Sequence, residues 1–568
     1  MAKPSENLEI PLGKRTAQYR FFEMLPAILS YGTLLLMIVL SIISPVAASI
    51  FLFLIIISLL VKAVGIAIRT VQGSSIMRKA QEVNWHQRLL SLQNPAESYK
   101  EIKDLQKNEF QWKNYVNELK YISNHSKDFP KPSEIYNAII IATYNESYDI
   151  LQPTVQSVLE TTYDNDHIIL VIAYEERGGA DIEETVKRLQ KEYEGKFFAF
   201  EIVKHPKDLP HEVIGKGGNI TFAGRFLQKW LKKKEIKSEN VIVTTLDSDN
   251  RPFYSYFDCL TYQYIVHENR KHMSFQPIAL FTNNIWDAPA PMRVVATGNS
   301  FWNVISSMRP HSIRNFASHS QPMDALEETD FWSTRTIVED GHQYWRSYFR
   351  FKGDYEVLPV HLPIYQDAVL SSTFRKTLKA QFIQTRRWAY GASDVPYVAT
   401  RVFTKDREVS LGSGLGHLIR LIDGNVTLAT TAILVAFGGW IPLLVNPEAA
   451  RSVAAHQLPN TVSAIQQIAM IGLFITIFVS FKILPPRPER YKKSRSFGML
   501  IQWVLMPFTA IAYSASSALY SQGRLLFGKY LDKFDVTEKA TIKDVDLAKQ
   551  KKSDKKKADK KKASSSSK

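Results

Sequence analysis

Apolar residues along this chain gather into long uncharged runs near both ends and into short runs through the middle. Residues 25–43 hold no charge, and residues 46–61 continue past Lys62 to residue 68. A helix of about 20 apolar residues crosses a hydrocarbon core about 30 Å thick, so each run is long enough to span it. The link at Ser44 and Pro45 is so short that the two runs form a hairpin. The late start of the first run, and the second run directly behind it, argue against a cleaved signal peptide. Residues 425–445 and 465–484 predict a third and a fourth span, and residues 497–520 are a fifth apolar stretch interrupted by Pro507.

Between these ends the pattern changes. Residues 72–132 are polar with scattered Trp, Leu and Tyr, which predicts amphipathic helices linking the membrane to the next domain. Pro130 and Pro132 mark a boundary. Val/Ile-rich runs then alternate with helical spacing. They predict strands over 136–143, 167–173, 197–203 and 241–246, and helices over 151–162, 182–193, 219–232 and 253–266. Continuous apolar strands separated by helices predict an α/β domain, a mostly parallel sheet covered by helices on both faces and inserted between transmembrane segments. Ligands of such sheets bind beyond the carboxyl ends of the strands, so chemistry is expected just after each strand.

Charge orients these segments. Lys14, Arg15 and Arg20 precede the first span and Arg69, Arg78 and Lys79 follow the second. The positive-inside bias then places both flanks, and the middle domain, in the cytoplasm of a multi-pass protein of the cell membrane. Lys62 lies near the cytoplasmic end of its helix, where it can snorkel. A weakly charged loop at 446–460 follows the third span, and Arg487, Arg490, Lys492, Lys493 and Arg495 follow the fourth. Residues 549–568 hold ten lysines against two aspartates, a tail expected to stay inside and to lack fixed structure. A crossing by 497–520 would put that tail outside, so the preferred reading there is a re-entrant or interfacial hairpin bent at Pro507. The division that results is an N-terminal segment (1–24), a transmembrane hairpin (25–70), a helical linker (71–132), a catalytic domain (133–375), interfacial helices (376–416), a C-terminal membrane region (417–526) and a basic tail (527–568). The net charge of +16 suits loops and a tail facing anionic lipid. No nucleic-acid reader motif accompanies it. The single cysteine, Cys259, leaves no intrachain disulfide and no Cys-rich zinc site.

Polar clusters do follow the strands. Ala142-Thr143-Tyr144-Asn145-Glu146 follows the first, Glu175 and Glu176 the second, and Asp247-Ser248-Asp249 the fourth. Two carboxylates two residues apart on a turn leaving a strand can approach one divalent cation, and Mg²⁺ and Mn²⁺ prefer oxygen ligands and bridge phosphates. Taken alone, Asp-x-Asp is also common on surface turns. Gly215-Lys216-Gly217-Gly218-Asn219 is not a P-loop, because no Ser or Thr follows the lysine; it is either a loop presenting Lys216 to a phosphate or a solvated glycine turn. Glu339-Asp340 follows a strand or loop region. Gln384-Thr385-Arg386-Arg387-Trp388 lies on an amphipathic helix before the third span, where Arg and Trp can grip a phosphate and stack on a ring or simply anchor in head groups.

These motifs in this order, ATYNE, DSD, ED and Q-x-x-R-W, resemble the processive branch of the family-2 glycosyltransferases, the group of cellulose, chitin and hyaluronan synthases. The resemblance covers residues 136–388 and extends more loosely to the spans. It implies a GT-A fold, Mg²⁺ or Mn²⁺, a nucleotide-sugar donor with UDP as the common case, and inverting transfer to a saccharide or lipid-linked acceptor, with processive polysaccharide synthesis as the expected outcome. Carried over by position, Thr143, Asn145 and Glu146 would line the nucleotide pocket and Lys216 would sit near the donor. Asp247 and Asp249 would bind the diphosphate and the metal. Asp340 would be the general base with Glu339 in support, and Gln384, Arg387 and Trp388 would hold the diphosphate and the acceptor end. Where the family carries an Asp against the nucleobase, this chain has Glu175 and Glu176. Two other readings stand beside this one: transfer of a single sugar to a lipid or short acceptor, and a catalytically inactive membrane scaffold. Oligomeric state is not legible.

Overall fold

The computed structural model describes residues 8–533, 539–546 and 550. The predicted hairpin is α1 (Ala17–Ile43) and α2 (Pro45–Gln81), joined at Ser44, whose hydroxyl accepts from the Ala47 amide while Pro45 opens the second helix. α2 runs well past residue 68 because its last turns lie on the α/β body. A Cβ at Gly73 would come within 2.7 Å of Val304 Cγ1, a contact only glycine permits. The linker forms α3 (Trp85–Ser91), α4 (Pro95–Ile102) and α5 (Trp112–Asn124). It is not a separate layer: Trp85, Leu89, Tyr115, Leu119 and Ile122 are buried in the same apolar layer as one face of the sheet.

Among the described residues the sheet has eight strands: β1 (Tyr136–Thr143), β2 (Ile168–Glu175), β3 (Ala199–His205), β4 (Val241–Asp247), β5 (Arg251–Pro252), β6 (Met273–Leu280), β7 (Ser320–Pro322) and β8 (Glu356–Tyr365). Their order is β3-β2-β1-β4-β7-β6-β8-β5. The four strands predicted from sequence form a parallel half, β3-β2-β1-β4. The other half is mixed, because β7 runs antiparallel to β4 and β6 while β6 and β8 pair parallel.

Helices α6 (Tyr148–Leu159), α7 (Ala180–Glu192), α8 (Lys216–Lys233) and α9 (Tyr256–Val266) follow strands as expected. β1 shows how both faces are covered. Ile139 and Ile141 pack with residues of α6, α7 and α9, whereas Ala138 and Ile140 pack with residues of α8 and of α11 (Met323–Glu328). All four are fully buried, and each isoleucine contributes roughly 1.5–3 kcal/mol by leaving water.

The remaining helices are α10 (Ala290–Ser307), α12 (Glu339–Arg350), α13 (Phe374–Ala389), α14 (Asp394–Val402), α15 (Leu411–Phe437), α16 (Ile441–Val445) and α17 (Val453–Ile483). Among the described residues, four helices are long and apolar enough to cross a membrane: α1, α2, α15 and the helical run Ser494–Leu526. The expected hairpin at Pro507 is not formed. The run continues through a short α segment, Met506–Thr509, and a π-helical stretch, Ala510–Ala515. Both its ends meet polar groups of the body. Arg490 pairs with Asp287 and Arg495 donates to the Trp286 carbonyl before and at its start, and the Leu525 and Leu526 carbonyls accept from Arg20 at its end.

The tail expected to lack structure over 527–568 is docked where it is described. The Tyr530 hydroxyl donates to Glu23, Arg15 stacks on the Tyr530 ring at 3.8 Å, and the Leu531 amide donates to the Tyr390 hydroxyl. Most of the lysine-rich stretch, 551–568, lies outside the described residues.

Candidate functional site

The site is built around the first turn of α8. Gly217 and Gly218 are buried, and each is needed for close approach. A Cβ at Gly217 would lie 2.4 Å from the Ser333 carbonyl oxygen, and one at Gly218 would lie 2.7 Å from Glu212 Oε2. Asn219 ties this turn to the sheet, its amide donating to the Ala173 carbonyl at 2.9 Å and the Thr143 carbonyl at 3.4 Å. The Gly-Lys-Gly-Gly-Asn sequence is therefore a packed helix start rather than a solvated turn.

That packing aims Lys216 across the ends of the strands. Its Nζ lies 2.9 Å from Asp247 Oδ1, 3.1 Å from Asp340 Oδ2 and 4.0 Å from Glu339 Oε1. One buried ammonium thus joins the turn after β4 to the first turn of α12. Burial alone would lower the lysine pKa, but Asp247, Asp340 and Glu339 hold it well above the ordinary value. Burial would raise Asp247, yet Lys216, Lys539 and Arg387 hold it down at about 2. Glu339 is pushed up to about 8 by burial and then by Asp340. Its side chain is 3% exposed against 18% for Asp340, so Asp340 is the more accessible member of the pair. Behind Asp340, His319 Nδ1 donates to the Phe316 carbonyl and lies 3.6 Å from Asp340 Oδ1. Its Nε2 accepts from Trp332, so the ring is the neutral Nδ1–H form. Burial lowers its pKa, in keeping with that form.

Asp249, the second carboxylate of the turn, is buried and held on both oxygens. Oδ2 accepts from the Asp367 amide at 3.1 Å, and Oδ1 accepts from Lys539 Nζ at 2.9 Å. Lys539 also donates to Ser248 Oγ at 2.8 Å. Residues 539–546 form a strap over this end of the site: the Ala540 amide donates to the Leu370 carbonyl and Lys543 pairs with Asp149. The Asp367 carboxyl is pushed up to about 7 by burial and by Asp249. Asp247, Asp249 and Asp367 offer the hard oxygen donors that Mg²⁺ or Mn²⁺ takes. No set of three His, Cys, Asp or Glu side chains among the described residues already converges on one point. Lys539 lies against Asp249 where such a cation would. The donor set therefore fits a divalent cation as one or two aspartates completed by phosphate oxygens.

The other residues named from the sequence fall around this centre. Glu146 is a loop clip: its Oε2 accepts from the Thr143 hydroxyl and from the Tyr144 and Asn145 amides, while Asn145 itself is exposed. Glu175 is buried and paired, and Glu176 accepts from the Lys207 amide at the surface. On α13, Arg387 faces the centre closely enough to act on Asp247 and Glu339. Trp388 is exposed with its ring 6.0 Å from Phe281, and Gln384 accepts from Gln381. The first three motifs and Arg387 are thus brought together, while Gln384 shows, among the described residues, only that neighbouring contact. Lys539, Asp367 and His319 were missed. Lys539 lay in a segment read as featureless charge, and Asp367 follows β8, whose Pro359 and Pro363 hide it as a strand.

No family model and no curated protein matches the chain. Solved structures that align with it include a mannosyltransferase of Pyrobaculum calidifontis in complex with GDP-Man and Mn²⁺, at 14% identity and TM-score 0.37, covering 77% of this chain and 100% of that one. TarS of S. aureus, residues 1–349 in complex with UDP, aligns at 10% identity and TM-score 0.33, covering 71% and 95%. The same protein in complex with UDP-GlcNAc aligns at 10% identity and TM-score 0.32, covering 70% and 93%. Likeness at this level carries no argument, and the functional reading rests on the site.

Proposed function

We propose that this chain is a membrane glycosyltransferase that moves a sugar from a nucleotide-sugar donor to an acceptor hydroxyl, by inverting displacement, at the cytoplasmic face of the cell membrane. One observation carries the reading: the Lys216 ammonium joins Asp247, at the carboxyl end of a central parallel strand, to Asp340, the accessible acid of the Glu-Asp pair. Such a displacement needs a base on the acceptor side and charge stabilisation on the leaving side within one site. In this scheme Asp340 takes the proton of the acceptor hydroxyl as its oxygen attacks the anomeric carbon, and the bond to the diphosphate breaks. Lys216 and Arg387 offer positive charge to the departing diphosphate. Glu339 and neutral His319 back Asp340. Asp249 and Asp247, with Asp367 beside them, would hold Mg²⁺ or Mn²⁺, which when bound neutralises charge on the diphosphate. Trp388, exposed at the end of α13, would stack on an acceptor sugar in this scheme. Processive synthesis is the preferred outcome and transfer of one sugar to a lipid or short acceptor the second.

Gel analysis of product made from a labelled donor separates these outcomes: a ladder of lengths is expected, and a mono-glycosylated product alone would remove processivity. Asp340→Asn is expected to abolish transfer while donor binding persists. Full activity in that variant would remove Asp340 as the base and reopen the reading of an inactive scaffold.

A further inference from the structure

One buried ion pair behind the centre has no task in that reaction. Arg346 of α12 is fully buried. Among the described residues the carboxylate that meets it is Glu9, whose Oε1 accepts from its Nη1. The same nitrogen donates to the Leu8 carbonyl at 3.1 Å, and Nη2 donates to the Thr329 carbonyl at 2.6 Å. The other oxygen of Glu9, Oε2, accepts from the Ser333 hydroxyl at 2.7 Å. Leu8 and Ile10, on either side, are buried, and Ile10 packs in the apolar cluster of Trp345 and Tyr397. Their carbonyls are held too: that of Leu8 accepts from the Tyr397 hydroxyl at 2.9 Å and that of Ile10 from Arg335 at 3.2 Å. Glu9 therefore sits between two apolar anchors with both carboxylate oxygens committed, and a buried guanidinium depends on it for its counter-charge.

These contacts close a ring that passes through the site. Arg346 lies on the helix whose first turn carries Glu339 and Asp340, about 9 Å along the axis from Asp340. Asp340 meets Lys216 at 3.1 Å. The next residue, Gly217, packs so closely on Ser333 that a Cβ there would fall 2.4 Å from the Ser333 carbonyl oxygen. The Ser333 hydroxyl then leads back to Glu9. The strip around Ser333 touches the site at two further points. The Trp332 carbonyl accepts from Thr221 of α8 at 2.8 Å, and Trp332 Nε1 donates to His319, the imidazole behind Asp340. Arg346 and Gln343 already tie α12 to Thr329. Glu9 adds the join at Ser333, the residue on which the Lys216 turn rests.

We propose that Glu9 is a positioning residue for the reaction: by bridging Arg346 and Ser333 it fixes α12 against the first turn of α8 and so sets the spacing of Asp340 from Lys216. This rests on the sugar-transfer reading, in which Asp340 takes the acceptor proton while Lys216 stands by the diphosphate. A misplacement of about 1 Å at such a centre can cost about a hundredfold in rate. Glu9 makes no contact, among the described residues, with Asp247, Asp249 or Arg387, so its loss falls on the chemical step rather than on donor binding. The segment that carries Glu9 leads into α1, which is long and apolar enough to cross a membrane. The same bridge therefore references Asp340 to the first span.

Release of nucleoside diphosphate by the full chain in detergent, from a panel of UDP-, GDP-, dTDP- and ADP-sugars with Mn²⁺, tests it when binding sites are counted by calorimetric titration with the matching diphosphate. Glu9→Ala is expected to lose at least about tenfold in rate per binding site, while affinity for the diphosphate stays as in the wild type. Glu9→Gln keeps an acceptor for Arg346 and a polar group for Ser333, and is expected to recover most of that rate. Ser333→Ala opens the ring at its other end without stranding the Arg346 charge, so it carries the test if Glu9→Ala does not fold. It is expected to lose rate per site in the same way, and the double variant to lose no more than the worse single one, because both break one link. A merely structural role would reduce the number of binding sites and leave the rate at each intact, and that result overturns the proposal. So do losses that multiply in the double variant. A wild type that releases diphosphate from no donor removes the transfer reading itself, an outcome distinct from an active wild type whose Glu9→Ala and Ser333→Ala variants keep the full rate per site.

Discussion

Lys216→Met removes the one ammonium that three carboxylates share, and its consequences can be worked from the geometry. The two contacts near 3 Å, to Asp247 and Asp340, are each worth on the order of 5 kcal/mol of gross attraction at an effective dielectric of about 20. Desolvation offsets most of that. Truncating one partner of a buried ion pair nonetheless costs about 3–5 kcal/mol, because the remaining charge is left uncompensated. The sign with pH follows from Asp247, whose carboxyl Lys216 holds at about 2 in the folded chain. The pairing contribution is fully present above the ordinary carboxylate range near 4 and fades only as pH falls toward 2. In the variant, Asp247 loses the Lys216 ammonium, keeps only Lys539 and Arg387 as counter-charges, and takes up its proton at higher pH. The variant is therefore weakest under alkaline conditions and recovers on acidification. Thermal unfolding of the full chain in detergent, followed by tryptophan fluorescence at pH 8 and pH 5, reads this directly. A wide gap in Tm from wild type at pH 8 that narrows at pH 5 is expected. An equal gap at both pH values, or none, would refute the claim that Lys216 is the shared counter-charge.

Lys539→Ala frees Asp249 Oδ1 from its tethered cation, so Mn²⁺ should bind about tenfold more tightly, the value of one charge-assisted hydrogen bond. Paramagnetic resonance of free Mn²⁺ measures this, and weaker binding would show that the strap instead builds the cation site. Gly217→Ala places a methyl 2.4 Å from the Ser333 carbonyl oxygen, where backbone must move. A loss of about 1–3 kcal/mol is expected, whereas Gly412→Ala, which meets nothing within 4 Å, should leave Tm unchanged. Burial of Asp367 beside Asp249 means that Asp367→Asn should weaken Mn²⁺ binding less than Asp249→Asn, and the same resonance assay ranks the two.

The parallel half of the sheet was legible because β1, β2 and β4 are buried on both faces and read as unbroken Val/Ile runs. The other half was not. β7 is Ser-Gln-Pro, with no β-branched or aromatic side chain, and β8 carries two prolines that mark a loop in any local reading. Both strands are held by neighbours distant in sequence. Asp247, Asp340 and Lys216 were individually visible as candidates, yet their convergence depends on two glycines of α8 packing on Ser333 and Glu212, which no local pattern expresses. The strap was missed for a different reason. A short charged segment gains its place from carboxylates far away in the chain, and composition alone reads it as solvated.

The central claim is that this site transfers sugar from a nucleotide donor. Release of nucleoside diphosphate by the purified full chain, across a panel of nucleotide sugars with Mg²⁺ or Mn²⁺, tests it most directly. Release from at least one donor, abolished in Asp340→Asn with donor binding retained, is the predicted result. No release from any donor in the panel, or equal release by wild type and Asp340→Asn, would contradict it.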